Sequence, residues 1–175
     1  MRLIEKIKGT SPVYRSYNED LIKLFTIKQG GKQGRSSETT KWEEAKYFSF
    51  VYEMYMYAIL LGFKNNYQID INDGESTKKF IEIKHWKPEE MADYIICAIF
   101  ERLKIDLFKI ENYDEKQLNE FVQNFKNEIE SYANGGFEII KDKRDEMGDL
   151  FKDSEYRFLE LIEMSIKFNL NIIDL

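Results

Sequence analysis

One stretch of the chain, residues 47–61, places apolar or aromatic side chains on nearly every face of a helix. A helix of this kind is stable where other elements cover it on all sides. Thr40 and Glu43 have the spacing of a capping box, which begins a helix by pairing free backbone N–H groups. Gly62 can adopt the left-handed conformation that ends one. We therefore predict a central core helix over about residues 41–61.

Five further segments carry apolar residues at helical spacing, which predicts amphipathic helices. Pro88 and the two glutamates after it are typical of a first helical turn, because a proline and acidic side chains suit a helix N-terminus. The helix that they begin is expected to bury a stripe of apolar residues: Met91, Tyr94, Ile95, Ala98 and, at its end, Leu103. Residues 104–110 fit either a strand or a loop. The predicted helices cover residues 18–28, 88–103, 114–134, 137–147 and 154–168.

A turn is predicted where Asn134, Gly135 and Gly136 follow the apolar stripe of residues 114–134. Asparagine and glycine adopt positive φ more easily than other residues, so this triplet is expected to stop the helix. Tyr132, just before it, is expected to cover the edge of the core with its hydroxyl in solvent.

A small β-hairpin is predicted over about residues 67–85. Residues 67–71 and 79–85 each alternate apolar and polar side chains, and Asn72, Asp73 and Gly74 between them favour a turn. Together with the helices, this gives the fold class: mainly α, a single-domain helical bundle of five or six helices around the central apolar helix, with one small hairpin.

Residues 30–40 contain three glycines and no apolar residue, which is typical of a flexible linker. We expect an N-terminal arm with a short helix over residues 1–29, the linker, and a helical domain with a hairpin insert over residues 41–175. Residues 1–46 hold ten Lys or Arg against six Asp or Glu, whereas the whole chain has a net charge of −6. An acidic protein binds nucleic acid poorly, but local contact with a nucleic acid or an acidic partner stays open for the basic residues Lys28, Lys32, Arg35 and Lys41.

The composition excludes several site types. With one histidine (His85) and one cysteine (Cys97), the chain forms neither an intramolecular disulfide nor a zinc site of four cysteines or of two cysteines and two histidines. We predict no metal and no cofactor, a surface position for His85 and a buried one for Cys97. Since no apolar run approaches the roughly 18–20 residues of a membrane span and no secretory signal is evident, we expect a cytoplasmic protein without a membrane partner.

One alternative is an enzyme. Glu82 and Lys84 flank Ile83 in a predicted strand, and Asp70 or Asp73 lies upstream across the hairpin. In restriction-endonuclease-like nucleases, two carboxylates in such an order bind Mg²⁺ and a lysine polarises the attacking water. The alternation puts Glu82 and Lys84 on one face of the strand, which such a site requires. A hairpin with one solvated face has the same pattern, so a Mg²⁺-dependent nuclease site remains an alternative hypothesis.

Two segments resemble a known family of small bacterial proteins. Ala58–Lys64 closes the aromatic helix, and Glu130–Ile140 contains the Tyr-Ala-Asn-Gly-Gly sequence. Both are similar to the dnd system-associated protein 4 type, which is encoded beside DNA phosphorothioation genes, and the resemblance covers about residues 45–141. Asn65 and Asn66 depart from it, since that family has a more basic, proline-containing turn there. The resemblance implies a setting in DNA modification or phage defence and supplies no catalytic residue.

These observations favour a non-enzymatic accessory protein in the bacterial cytoplasm that binds a protein partner from the same operon. The alternatives are the Mg²⁺-dependent nuclease and a DNA-contacting protein that uses the basic N-terminal arm. The sequence does not predict the oligomeric state.

Overall fold

Six helices and four short strands are seen in the described part of the chain, which comprises residues 2–28, 48–148 and residue 163 of a computed structural model. The fold is mainly α, as predicted. In chain order the elements are α1 (Arg2–Lys8), β1 (Val13–Arg15), α2 (Glu19–Phe25), β2 (Thr26–Lys28), β3 (Phe48–Phe50), α3 (Val51–Lys64), β4 (Thr77–Lys79), α4 (Glu89–Arg102), α5 (Leu107–Ile110) and α6 (Glu115–Met147).

Helix α3 lies in the core, as its apolar sequence predicts. Tyr55 is fully buried, and its ring centroid lies 4.9 Å from that of Phe80, 5.7 Å from that of Trp86 and 6.0 Å from that of Phe137. The predicted start near residue 41 moves to Val51, because β3 precedes the helix. The Glu53 carboxylate caps this start by accepting the backbone N–H groups of residues 49 and 50 at 2.6 and 3.1 Å.

The predicted helix stop at Gly62 is wrong, and its cause is the close approach of α3 to α6. Helix α3 continues to Lys64. A Cβ atom on Gly62 would lie 2.9 Å from the carbonyl carbon of Tyr132, and one on Gly136 would lie 2.8 Å from Cα of Ala58. Real Cβ atoms essentially never come within 3.0 Å of such atoms. Both glycines are therefore required because they let two helix backbones touch.

The predicted stop at Asn134, Gly135 and Gly136 is wrong for the same reason. The three residues are buried in the middle of α6, which joins the helices predicted over 114–134 and 137–147 into one of 33 residues. Gly135 packs against a third backbone, since its Cβ would lie 2.7 Å from the carbonyl carbon of Tyr67. Tyr132 is also buried, contrary to its expected exposed edge, and its ring packs edge-on against Phe63 at 5.3 Å.

A capping box begins α6. The Asp114 carboxylate accepts the backbone N–H of Gln117 at 2.8 Å, and the side-chain oxygen of Gln117 accepts the backbone N–H of Asp114 at 3.0 Å. These bonds satisfy two backbone groups that the first helical turn leaves free. Packing against α3 then keeps the helix continuous past its glycines.

The predicted small antiparallel sheet is present, but its strands come from different parts of the chain. β4 pairs with β1, with Val13 opposite Lys79 and Arg15 opposite Thr77. Residues 67–71 form no strand and lie along α6 instead, where the N–H of Ile69 donates to the carbonyl of Ser131 at 3.0 Å. Alternation within a strand specifies which side chains face the core, not which strand pairs with it.

The N-terminal residues 2–28 pack as part of the helical core rather than apart from it. Ile7, Leu21 and Phe25 are buried in the same apolar cluster as α3 and α6. The helix predicted over residues 18–28 is shorter, because Thr26–Lys28 form β2, which pairs in parallel with β3. The linker 30–40, the capping box at residues 40 and 43, and the helix predicted over 154–168, except residue 163, lie outside the described residues.

Helix α4 begins after Pro88 as predicted, but a different face is buried. Its core side is formed by Ala92, Ile95, Ile96 and Ile99. Of the predicted stripe, Ile95 is buried as expected, but the buried face is rotated by about one residue, or 100° around the helix. Met91 and Tyr94 are therefore exposed, as is Cys97. Of residues 104–110, which were predicted as strand or loop, residues 104–106 belong to neither helix nor strand and Leu107–Ile110 form the short helix α5.

Candidate functional site

The structure separates the residues of the predicted metal site. Glu82 and Lys84 lie beside and within a 3₁₀ turn, Ile83–His85, and not on a strand. Their side chains form an exposed ion pair, and the hydrogen bond from Lys84 is the main cause that lowers the pKa of Glu82. The exposed His85 adds a contact, with Nε2 3.7 Å from the Glu82 carboxylate. An ion pair between solvated side chains explains this arrangement without a metal.

Asp70 and Asp73 line a different feature, a polar cleft of about 660 Å³ against α6. The other side of the cleft carries Glu128 and Glu130, and neither Glu82 nor Lys84 lines it. Within residues 2–28 and 48–148, no group of three or more His, Cys, Asp or Glu side chains is arranged to hold a metal ion.

Glu130 is the buried carboxylate of this cleft, and it positions β1. It accepts the backbone N–H of Val13 at 2.7 Å and lies 3.3 Å from the Lys126 ammonium. Burial raises the pKa of Glu130, while the hydrogen bond from Val13 and the charge of Lys126 oppose that shift. Tyr55 donates its hydroxyl to the Val13 carbonyl at 2.9 Å. Helices α3 and α6 thus each hold one backbone group of Val13. The raised pKa of Glu130 follows from its burial at this structural contact and does not indicate a catalytic group.

The structure does not describe the side chains of the basic residues that were predicted to contact a nucleic acid or a partner. Lys32, Arg35 and Lys41 lie outside the described residues, and for Lys28 the backbone position in β2 is described. Arg15, another cation of the N-terminal segment, is buried. It forms two bonds to the Glu75 carboxylate, at 2.6 and 3.1 Å, so it is not displayed to solvent.

An exposed apolar strip lies on α4 and contains residues that were predicted to be buried in the core. Tyr94 is 61% exposed and Met91 is 38% exposed. Together with the half-buried Ala98 they have the spacing of one helix face, and we call these three residues the α4 outer strip. The sequence signal for this strip is a competing stripe of three isoleucines at residues 95, 96 and 99, which buries a neighbouring face of the helix.

A second apolar feature is a groove of about 440 Å³ between α1 and α5. Helix α1 is held against α6 by Lys6, which donates to the Glu115 carboxylate at 2.5 Å and to the side-chain oxygen of Asn119 at 2.8 Å. We call this feature the α1–α5 groove, and its apolar lining consists of Leu3, Ile4, Phe100, Ile110, Tyr113 and Leu118.

Comparison of the chain with known protein families, with curated proteins and with solved structures finds no match. Among the helices that the structure describes, none combines the length and the apolar character that crossing a membrane requires.

Proposed function

We propose that this chain is a non-enzymatic accessory protein that binds a partner protein through the α4 outer strip. The observation that carries the proposal is the exposure of Tyr94 and Met91, 61% and 38%, on one face of a 14-residue helix. Large apolar side chains grouped on an exposed helix face are typical of a protein contact surface. Tyrosine and methionine are also among the residues enriched in interfaces.

The charge around the strip indicates what the partner carries. Glu90 and Glu101 are exposed on the same side of α4 as Tyr94, and neither has a cationic partner in the structure of residues 2–28 and 48–148. Carboxylates at the rim of an interface favour cations on the other side. The complementary surface is an apolar stripe flanked by Lys or Arg, such as an amphipathic basic helix.

The sequence resemblance supports a setting for this partner. It points to a bacterial operon for DNA modification, such as phosphorothioation, or phage defence. Under this proposal, the partner is the product of a neighbouring gene of that operon.

The test is isothermal titration calorimetry of the purified chain against each purified product of the neighbouring genes. One of them binds, and Tyr94→Ser weakens the binding at least about tenfold, as expected for an aromatic anchor. Tyr67→Ser, which removes another exposed tyrosine at a different place, is the matched control and leaves the affinity unchanged. Binding to none of the products, or equal affinity of Tyr94→Ser and wild type, would contradict the proposal.

The two alternatives from the sequence are outcomes of separate measurements. DNA cleavage that needs Mg²⁺ and is lost in Lys84→Ala would replace the proposal with the nuclease. DNA binding that falls steeply with salt and is weakened by Arg35→Ala would replace it with the DNA-contacting protein.

A further inference from the structure

Phe108 is the most exposed of the large apolar side chains in the described residues. It is 82% exposed on α5, whereas Ile110, two residues later, is 8% exposed and lines the α1–α5 groove. Two residues on a helix are separated by about 200°. Phe108 therefore projects outward from the same short helix that forms one wall of the groove.

The groove has the size and lining that an aromatic ring requires. Its volume of about 440 Å³ accommodates a phenyl ring, and aromatic and aliphatic side chains from α1, α4, α5 and α6 line it. Buried aromatic anchors in apolar pockets contribute strongly to protein association. The surface thus combines a projecting aromatic side chain and an apolar groove next to it.

The charged residues near Phe108 on one copy of the chain are complementary to the same residues on a second copy. Lys109 is exposed and has a long contact of 3.8 Å with Asp106. Glu111 is exposed at the rim of the groove and has no cationic partner in the described residues. In a two-fold symmetric dimer, the same surface patch of both copies forms the interface. Lys109 of one copy can then face Glu111 of the other, and Glu111 of the first can face Lys109 of the second. A cation and an anion close to Phe108 in the chain suit such a contact.

We infer that the α1–α5 groove is a self-association surface, on which two copies of this chain dock with Phe108 of each copy in the groove of the other. Lys109 of one copy then pairs with Glu111 of the other, twice in the dimer. A contact of this size, centred on one aromatic side chain per copy, is at the small end of interfaces, so the dimer is reversible and concentration-dependent.

The first test is sedimentation velocity of the full chain from about 1 μM to about 1 mM, the range in which small interfaces associate. Wild type shifts from monomer to dimer, and Phe108→Ser weakens dimerisation at least about tenfold, as expected for removal of a central anchor. Tyr67→Ser, which removes an exposed tyrosine that does not line the groove, is the control and dimerises like wild type. A monomeric wild type, or a Phe108→Ser variant that dimerises equally well, would overturn the inference.

The second test is a charge exchange. Lys109→Glu and Glu111→Lys each place like charges across the axis and weaken the dimer when studied alone. Mixed together, the two variants restore opposite charges at both contacts and form a heterodimer with near wild-type affinity. Failure of the mixture to associate would overturn the pairing of Lys109 with Glu111. Circular dichroism melting confirms that each variant is folded.

Discussion

The glycine at position 136 permits a close contact between the backbones of α6 and α3, and Gly136→Ala is expected to destabilise the protein. A Cβ there would lie 2.8 Å from Cα of Ala58 and closer still to its carbonyl oxygen, whereas ordinary contacts begin at 3.4 Å. The helices must therefore separate by more than about half an ångström, and a gap of that size removes about a quarter or more of the dispersion energy of the contacts involved.

Two opposing effects determine the size of this change. Overpacking of a core costs up to about 3 kcal/mol, and alanine is favoured over glycine in a helix by about 1 kcal/mol. We expect a net loss of about 2 kcal/mol in the free energy of unfolding, or a melting temperature lower by about 4–8 °C in a domain of this size.

The assay is urea unfolding followed by circular dichroism at 25 °C, with the free energy extrapolated to water. Gly9→Ala is the matched control. Its Cβ would meet the Glu5 carbonyl oxygen at 3.3 Å, a contact that yields by a few tenths of an ångström, so its change should stay within about 1 kcal/mol. If Gly136→Ala equals or exceeds wild type in stability, helix propensity dominates and the close crossing of α3 and α6 is refuted.

Two further substitutions test the buried carboxylate and the cap of α6. Burial raises the pKa of Glu130 in the folded protein above its value in the unfolded chain, so the folded state binds the proton more tightly. Protonation of Glu130 therefore stabilises the fold fully at pH values below the pKa of the unfolded chain, and this stabilisation is lost as the pH rises through the pKa of the folded protein. Urea unfolding from pH 4 to pH 7 should therefore show Glu130→Gln gaining stability relative to wild type; a constant difference would contradict this. Asp114→Ala removes the bond to the Gln117 N–H and should lower the free energy of unfolding by about 1 kcal/mol, and an unchanged value would show that the cap does not stabilise α6.

Features that depend on neighbouring residues in the sequence are well predicted. The start of α4 at Pro88 follows from proline and acidic residues in one turn, and the burial of α3 follows from apolar side chains on all its faces. The stripe of residues 114–134 likewise predicts a helix that the structure shows as part of α6. In each case the information lies within a few helical turns.

Features that depend on distant residues are not predictable in this way. A glycine that ends a helix and a glycine that touches another helix have the same signature, and for Gly136 the decisive neighbour is Ala58, 78 positions away. The partner of β4 is also distant, since β1 is fixed by Glu130 and Tyr55 through Val13. In α4, two apolar stripes compete, and the one with more isoleucine is buried.

The candidate metal site shows the same limit. Glu82 and Lys84 are adjacent in the structure, as their spacing requires, but Asp70 and Asp73 turn toward α6 because residues 67–71 lie along that helix instead of pairing with β4. The α4 outer strip depends on which face of α4 meets α3, which the sequence of α4 alone does not determine.

Helix α6 passes unbroken through residues 134–136 against α3. Hydrogen exchange of the backbone amides, followed by NMR, tests this continuity. Amides of a buried, packed helix exchange only through large openings, near the free energy of global unfolding. We expect the amides of Asn134, Gly135 and Gly136 to exchange as slowly as those of Ile129 and Ala133. Exchange at these three positions many times faster than in the flanking turns would show a helix end there and contradict the claim.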